Sequence, residues 1–397
     1  MIQITEERNC CGCAACAAAC PVGCITMAPG TLGAVFPQVD TEKCISCNKC
    51  EAVCPMLHAE EAKRPQSCNT VYAAYAKDPA IRNGGSSGGM FGTIAGHLLS
   101  KGHRIYGAGF DEELQLRCMH ADTLAELAPL LKSKYLQSDL SEAYPLIKED
   151  LHQGKQVLFV STPCQVAALK RYLGKDYDNL LTVDFLCHGV PSQELFDKCK
   201  TYEEEKLGGK IRNFQFRAKI PHGATPHYFT RIFEKNGKVK TETKPYFRSV
   251  FYAFFQQYIS LRESCYNCTF AEEQRVSDMT IADFHAIEKY VPDINRFQGV
   301  STVMVHTEKG HTLWQEVQDK LWYQLFSLDQ LKADRVLFAE KTQRPAGRDR
   351  FIKNYETLPF PAFVDRQISK KRYAIYSVYY ALPKALRAIV KKLCHLE

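Results

Sequence analysis

Eight cysteines near the amino terminus constrain this chain more than any other feature. Cys10, Cys13, Cys16 and Cys20 stand in C-x2-C-x2-C-x3-C spacing, and Pro21 follows. Cys44, Cys47, Cys50 and Cys54 repeat the spacing, with Pro55 after. Three closely spaced thiolates can wrap one 4Fe-4S cubane in a tight loop, while the fourth, a turn further on, points toward a second cubane. The expected ligand sets are therefore crossed: Cys10, Cys13, Cys16 and Cys54 for one cluster, and Cys44, Cys47, Cys50 and Cys20 for the other. The first run, CCGCAACAAACP, is filled with small residues, as close approach of backbone N–H groups to sulfide requires. Zinc sites use two C-x2-C pairs rather than two runs of four. Cys11 and Cys24 lie outside the pattern and are expected to be small buried residues, with substitution of either one as a ligand the lesser alternative.

The double run resembles a bacterial two-cluster ferredoxin and assigns residues 1–56 to such a module. Residues 57–70, LHAEEAKRPQSCNT, are polar and read as a linker. Beyond it, strand-like runs at 71–76, 104–110, 157–162 and 180–187 alternate with helical segments near 88–101, 141–153, 164–173 and 192–206. That alternation predicts a mixed α/β (α+β) domain with a parallel portion to its sheet. RNFQFRAK and HYFTRIFEKNGKVKTETK, with Asn236-Gly237 at the turn, predict a β-hairpin region. SDMTIADF and VSTVMVHT are further strands, and 308–320 is helical. The large domain is expected to span 71–355, followed by a basic, aromatic tail at 356–397. Such a tail can lie on a membrane surface, but it more often packs on its own protein or a partner.

The chain has 397 residues, enough for two to three domains. Its opening, MIQITEERNCC, has no apolar signal-peptide core. Eighteen cysteines without an export signal point to metal work in a reducing compartment, so a cytoplasmic protein is expected. The formal charge of +7 counts no cluster. A cubane with four thiolates carries roughly −2 when oxidised, and three would bring the total close to zero. The charge is therefore no argument for nucleic acid.

NGGSSGGMFGTIAGHLL, residues 83–99, is a Gly/Ser loop running into an apolar helix. Its glycines permit close backbone approach to a ligand, and a helix start offers free N–H groups to phosphate. A tight loop needing positive φ is the alternative. Ser86 or Ser87 is expected to cap the helix. No G-x-G-x-x-G or Walker loop occurs, so a nicotinamide Rossmann site is unsupported.

Four more cysteines fall in a suggestive pattern. Cys164 follows a strand in STPCQ, Cys187 ends one in FLCHG, and Cys265 and Cys268 form SCYNC. They can make a third four-thiolate site, or the first two can be buried small residues. Zinc at Cys265 and Cys268 would need the same two partners. His188 can give a proton near a cofactor or fix its loop. Lys134 can meet a phosphate or a flavin carbonyl, or stand in solvent. Asp283 can hydrogen-bond a ligand or cap a turn.

NGGSSGGMFGTIAGHLL, SKYLQS, STPCQVAALKRYL, FLCHGVPS and CYNCTFAEEQRVSDMTIADF occur in that order. Together they resemble the beta-subunit family of coenzyme F420 hydrogenase/dehydrogenase, over residues 1 to about 350. The resemblance implies a mixed α/β flavin-binding domain. It implies FAD held by Ser86, Ser87, Gly88 and Gly89, by the Ser133–Ser138 stretch with Lys134 and Gln137, and by Asp283. His188 and Lys134 are the catalytic candidates. Cys164, Cys187, Cys265 and Cys268 are implied to hold a cluster beside the flavin. The family often has Gly-Asp-Phe-Trp where this chain has Ala282, Asp283, Phe284 and His285, which puts the substrate side of the flavin in question. Relatives also look like formate dehydrogenase beta subunits and reductases of chlorophyll intermediates.

The expected function is a flavin- and iron–sulfur-dependent oxidoreductase. It would exchange two electrons with a small-molecule hydride donor or acceptor, reduced F420 or similar. Electrons would then pass through the clusters to or from a redox protein partner or enzyme complex. The competing expectation is a ferredoxin-like carrier or docking subunit without its own flavin.

Overall fold

The computed structural model describes residues 1–62, 70–220, 228–333 and 340–382. At the amino terminus β1 (Ile25–Pro29) and β2 (Val35–Val39) form an antiparallel ribbon. Two helical turns, Ala15–Ala18 and Lys49–Ala52, flank it. The repeated cysteine spacing produces a repeated backbone. Gly12 (φ 65°) and Ala14 (φ 63°) of the first run are matched by Ser46 (φ 53°) and Asn48 (φ 57°) of the second. Left-handed residues between right-handed ones turn successive N–H groups into one concavity, the backbone arrangement that receives anionic groups such as iron–sulfur clusters.

The large domain is built on an eight-stranded sheet. In chain order its strands are β3 (Thr70–Ala76), β4 (Arg104–Phe110), β5 (Leu116–Ala121), β6 (Val157–Val160), β7 (Leu180–Phe185), β11 (Met279–Asp283), β12 (Ser301–Val305) and β13 (Leu321–Phe326). Across the sheet the order is β13-β3-β12-β11-β7-β6-β4-β5. β4, β6, β7 and β11 are mutually parallel, and the outer strands are antiparallel. β6 explains why the centre must be covered on both faces: all four of its residues are buried. Val157 and Phe159 pack under helices Ala143–His152 and Pro163–Leu173. Leu158 and Val160 pack on the other side, with Ile94, Leu98, Leu313 and Trp314 from helices Met90–Ser100 and Glu308–Val317. A strand apolar at every position is what a doubly covered parallel sheet demands.

A second sheet, ordered β10-β9-β8, is a meander of β8 (Lys210–Gln215), β9 (Tyr228–Lys235) and β10 (Lys238–Pro245). Asn236 (φ 52°) and Gly237 (φ 70°) make its two-residue turn, the positive pair that lets a tight hairpin follow strand twist. Its apolar face meets an aromatic core that includes Phe196, Phe214, Phe251, Phe254 and Phe363.

The stretches expected as linker and tail both carry helices. The linker begins with a helical turn, Ala59–Ala62, and β3 starts at Thr70; residues 63–69 lie outside the described ones. The expected tail starts inside helix Arg348–Thr357, and helix Phe360–Gln367 buries Phe363 and Val364 in the aromatic core. In helix Lys370–Ala381, Tyr376 stacks on Phe247 with ring centroids 5.6 Å apart. Aromatic residues spaced along these helices are recruited as core. Residues 383–397 lie outside the described ones. No helix among the described residues is long and apolar enough to cross a membrane.

Candidate functional site: two adjoining cavities and a docked ferredoxin module

The Gly/Ser loop passes over the end of β3 and the start of β12 before helix Met90–Ser100. Gly89 (φ 86°) caps that helix, and neither serine does, because both serine hydroxyls are engaged elsewhere. Ser87 donates to the Val300 carbonyl at 2.9 Å. Ser86 Oγ accepts the Ser133 N–H at 2.7 Å, so the two stretches expected at the flavin touch directly. Gly88 is turned the other way. Its carbonyl accepts from Ala76 N–H at 2.7 Å, its N–H donates to Ser301 Oγ at 3.0 Å, and a Cβ there would stand 2.4 Å from the Ala74 carbonyl oxygen. Gly88 seats the loop on the sheet; Gly85, Ser86, Ser87 and Gly89 line the cavity above it.

That cavity has a volume of about 280 Å³. Its apolar wall includes Phe91, Leu130, Phe185 and Ile281, and its charged groups include Lys132, Lys134, Arg217 and Asp283. Arg217 follows β8 with φ 57°, an uncommon conformation for a non-glycine residue that costs of order 1–3 kcal/mol. It forms a two-pronged ion pair with Asp283 at the end of β11, with Nη2 to Oδ1 at 3.1 Å. Nη2 also donates to the Ser86 carbonyl at 3.1 Å. Arg217 Nε is buried with no partner among the described residues. Arg217, despite the burial cost, holds the Asp283 carboxyl well below the usual carboxylate range. Lys134 donates to the Pro129 and Leu131 carbonyls at 2.6 and 2.7 Å. Burial, and then the charge of Lys132, lower its pKa to about 7. His188 is brought down to about 4, by burial first and then by His285, so its imidazole is neutral near pH 7.

A second cavity of about 140 Å³ shares Ala108, Lys134, Tyr135, Phe185, Leu186 and His188 with the first. Cys164, Cys187, Cys265 and Cys268 line it. Sheet order explains the convergence. β6 and β7 are adjacent and parallel, so the residues after their carboxyl ends emerge side by side. Cys164 lies in the first turn of helix Pro163–Leu173, after β6, and Cys187 lies two residues past β7. The Glu263–Asn267 turn closes over them. Gly189 (φ 114°) leaves room for Cys265, since a Cβ on it would stand 2.8 Å from Cys265 Cβ. Buried Arg275 anchors the chain that follows the Cys265–Cys268 pair: it pairs with Asp184 of β7 at 3.0 Å and donates to the Phe270 carbonyl at 3.2 Å. Burial raises Cys265 to about 12 and Cys268 to about 11, and drives Cys187 well above the ordinary thiol value. Cys164 falls to about 7, chiefly through its hydrogen bond with Cys11. Among the described residues, no three His, Cys, Asp or Glu side chains converge as ligands of a single ion would. A cubane asks for something else, sulfurs spread around a cage.

Cys11 also lines this second cavity, because the ferredoxin module docks on it. Gln137 does not face the first cavity. Its amide donates to the Cys11 and Gly12 carbonyls at 2.8 and 2.7 Å. Arg262 donates to Gln137 Oε1 at 3.0 Å, to the Cys10 carbonyl at 3.0 Å and to the Val35 carbonyl at 2.7 Å. Gly12 (φ 65°) lies against this guanidinium, and a Cβ there would stand 2.4 Å from Arg262 Nη1, so a larger residue must displace the arginine. Tyr144 donates to the Cys13 carbonyl at 2.9 Å. None of these contacts has a local signature in sequence.

Within the module the first cysteine run and Cys54 lie together. Cys10 and Cys16 each feel the charges of Cys13 and Cys54. Cys20, Cys44, Cys47 and Cys50 line one small recess at the outer end, beside exposed Ile45. The Gly12 N–H points at Cys10 Sγ and the Ile2 N–H at Cys50 Sγ, both at 3.3 Å. Cys24 is buried with its Sγ 3.4 Å from Cys20 Sγ.

Three family models match the chain. Residues 9–57 match a 4Fe-4S dicluster domain. Residues 71–144 match the N-terminal part of the beta subunit of coenzyme F420 hydrogenase/dehydrogenase, and residues 154–330 match its C-terminal part. No curated protein matches. Among solved structures, a chain of the F420-reducing NiFe hydrogenase complex from Methanosarcina barkeri, studied by xenon derivatization, is similar at 17% identity. The match covers 79% of this chain and 94% of that one, with a TM-score of 0.42. With both of its domains matched and a dicluster domain in front, this chain belongs to the coenzyme F420 hydrogenase/dehydrogenase beta-subunit family, a family of iron–sulfur redox subunits.

Proposed function

We propose that this chain is a flavin- and iron–sulfur-dependent oxidoreductase subunit. In this reading FAD occupies the 280 Å³ cavity, a third 4Fe-4S cluster is held by Cys164, Cys187, Cys265 and Cys268, and the ferredoxin clusters connect them to a redox partner or enzyme complex. One observation carries the reading: the two cavities share walls, and the second is also lined by Cys11 of the first ferredoxin loop. A redox path from organic substrate to outer cluster needs that sequence of neighbours.

The residues present suit the groups. Lys132, Arg217 and Lys134, whose amine a nearby phosphate would hold charged, stand with glycine-lined backbone and suit a diphosphate; the apolar wall suits a ring system. Buried thiols that resist ionisation become thiolates when a metal supplies the compensating charge. FAD, when bound, supplies the exchange between two-electron and one-electron chemistry. This chain's own residues do the rest. Arg217 and the Ser86 loop orient the cofactor, and Lys134 and neutral His188 stand between the cavities as groups able to hold or move a proton. The organic partner is a hydride donor or acceptor such as F420, with His285 on its side of the site.

The test is the anaerobically purified full chain. A flavin absorbance band beneath the broad iron–sulfur spectrum is expected, bleached by one member of a panel of reduced F420, NADH, NADPH and reduced ferredoxin. Absence of flavin after reconstitution, with iron present, would leave the carrier reading instead.

A further inference from the structure

Four arginines are buried among the described residues: Arg231, Arg262, Arg275 and Arg348. Three of them pair with a carboxylate. Arg231 meets Glu203 at 2.6 Å, Arg275 meets Asp184 at 3.0 Å and Arg348 meets Glu263 at 2.9 Å. Arg262, 2% exposed, is the exception. Among the described residues its guanidinium donates to neutral oxygens, those of the Cys10 and Val35 carbonyls and the Gln137 amide. Its central carbon lies 4.4 Å from the centre of the Phe36 ring. A buried charge is costly unless an opposite charge stands near it. The guanidinium cannot shed its charge, because arginine keeps its proton in proteins.

The sites on either side of Arg262 supply the missing charge when loaded. Its side chain lies against the loop that carries Cys10, Cys13 and Cys16, the expected ligands of the inner ferredoxin cluster. It holds the Cys10 carbonyl at 3.0 Å, and a Cβ on Gly12 would stand 2.4 Å from Nη1. The same residue lines the cavity of Cys164, Cys187, Cys265 and Cys268. Its own carbonyl accepts the Cys265 N–H at 3.0 Å. One residue therefore spans the seam between two sites built for anions. A cubane held by four thiolates is negatively charged, and its reduced form more so.

We propose that Arg262 is a positioning residue for electron transfer, whose guanidinium is the shared counter-ion of the inner ferredoxin cluster and the third cluster and raises the potentials of both. A fixed positive charge favours the reduced form, because that form carries the greater negative charge. Arg262 gives up neither proton nor electron and makes no bond to iron. It does not line the recess of Cys20, Cys44, Cys47 and Cys50, so its effect on the outer cluster is smaller. The proposal rests on the third-cluster reading for its Cys265 half only.

The test uses Arg262→Lys, Arg262→Gln and Arg262→Met in the full chain, purified without oxygen. The readouts are iron content and redox titration followed by electron paramagnetic resonance. Lysine keeps the charge but not the forked hydrogen bonds; glutamine keeps hydrogen bonding but not the charge. In the Gln and Met variants the equilibrium between reduced and oxidised inner cluster should fall about tenfold, a potential about 59 mV lower for one electron. The outer cluster should shift less, and Arg262→Lys should titrate close to the parent. Parent potentials in Gln and Met, or a shift in Lys as large as in Gln, would leave Arg262 as a docking residue and overturn the proposal. Iron lost from Gln and Met but kept in Lys would support it, since the charge is then what holds the anions. Iron lost from Lys as well would overturn it, because the hydrogen-bond fork is then what matters. Failure of the third-cluster reading shows separately, as unchanged iron in Cys187→Ala, and leaves the inner-cluster shift as expected.

Discussion

The Ser133 N–H donates to Ser86 Oγ at 2.7 Å, across 47 residues of sequence. The bond closes the loop before helix Met90–Ser100 against the stretch that carries Lys134, and Arg217 reaches the Ser86 carbonyl beside it. In the proposed site, Arg217 is expected to contact the anionic part of the cofactor. Arg217→Met should weaken FAD binding about 10- to 100-fold, the range for one lost charged hydrogen bond of about 1.5–3 kcal/mol. Flavin-to-protein ratio and fluorescence titration measure it. Affinity within twofold of the parent would move the diphosphate elsewhere.

Gly88→Ala should act on stability rather than on flavin. The added Cβ would meet the Ala74 carbonyl oxygen at 2.4 Å and the Ser301 nitrogen at 2.9 Å, contacts that force the loop off the sheet. Overpacking of this kind costs about 1–3 kcal/mol. A lowered thermal midpoint is expected, with the folded fraction still binding FAD. An unchanged midpoint with flavin lost would place Gly88 at the cofactor instead.

Cys187→Ala should remove about four irons per chain, one cubane's worth, and leave FAD and the ferredoxin clusters in place. Reduction of flavin by a two-electron donor survives, and onward transfer slows sharply. Cys47→Ala, at the exposed outer end of the module, should also lose about four irons but leave the flavin-side signals unaltered. Iron analysis with electron paramagnetic resonance separates the two. Full iron in Cys187→Ala would make Cys187 packing.

Lys134 predicts a pH dependence. Its pKa is lowered to about 7, by burial and then by Lys132, so in the flavin-free chain the amine is mostly neutral at pH near 8 and charged near 6. A diphosphate close by favours the charged form and raises that pKa. FAD binding near pH 8 should therefore take up close to one proton per FAD at this residue, and binding near pH 6 almost none. Calorimetry in buffers of different ionisation enthalpy reads the uptake. Lys134→Met should abolish it; uptake unchanged in that variant would assign the proton to another group.

Much of this protein is written in local spacing. The cysteine runs determine the paired concavities at Gly12–Ala14 and Ser46–Asn48, because three-residue steps impose the same left-handed turns in each. Alternation of apolar runs determines the strands and their helices, and Asn236-Gly237 determines its hairpin, since each depends on a few consecutive dihedrals. Tertiary structure decides the rest. Whether Gly88 faces ligand or sheet depends on β3 and β12 lying beneath it, and Gln137 faces the ferredoxin loop because that module docks there. Cys164 and Cys187 meet because β6 and β7 are neighbours in the sheet, an order that no window of sequence encodes. Arg217 pairs with a residue 66 positions away and Arg262 with one 252 positions away. An arginine that will be buried against a distant partner looks locally like any solvated arginine, because its partner arrives only when the chain has folded.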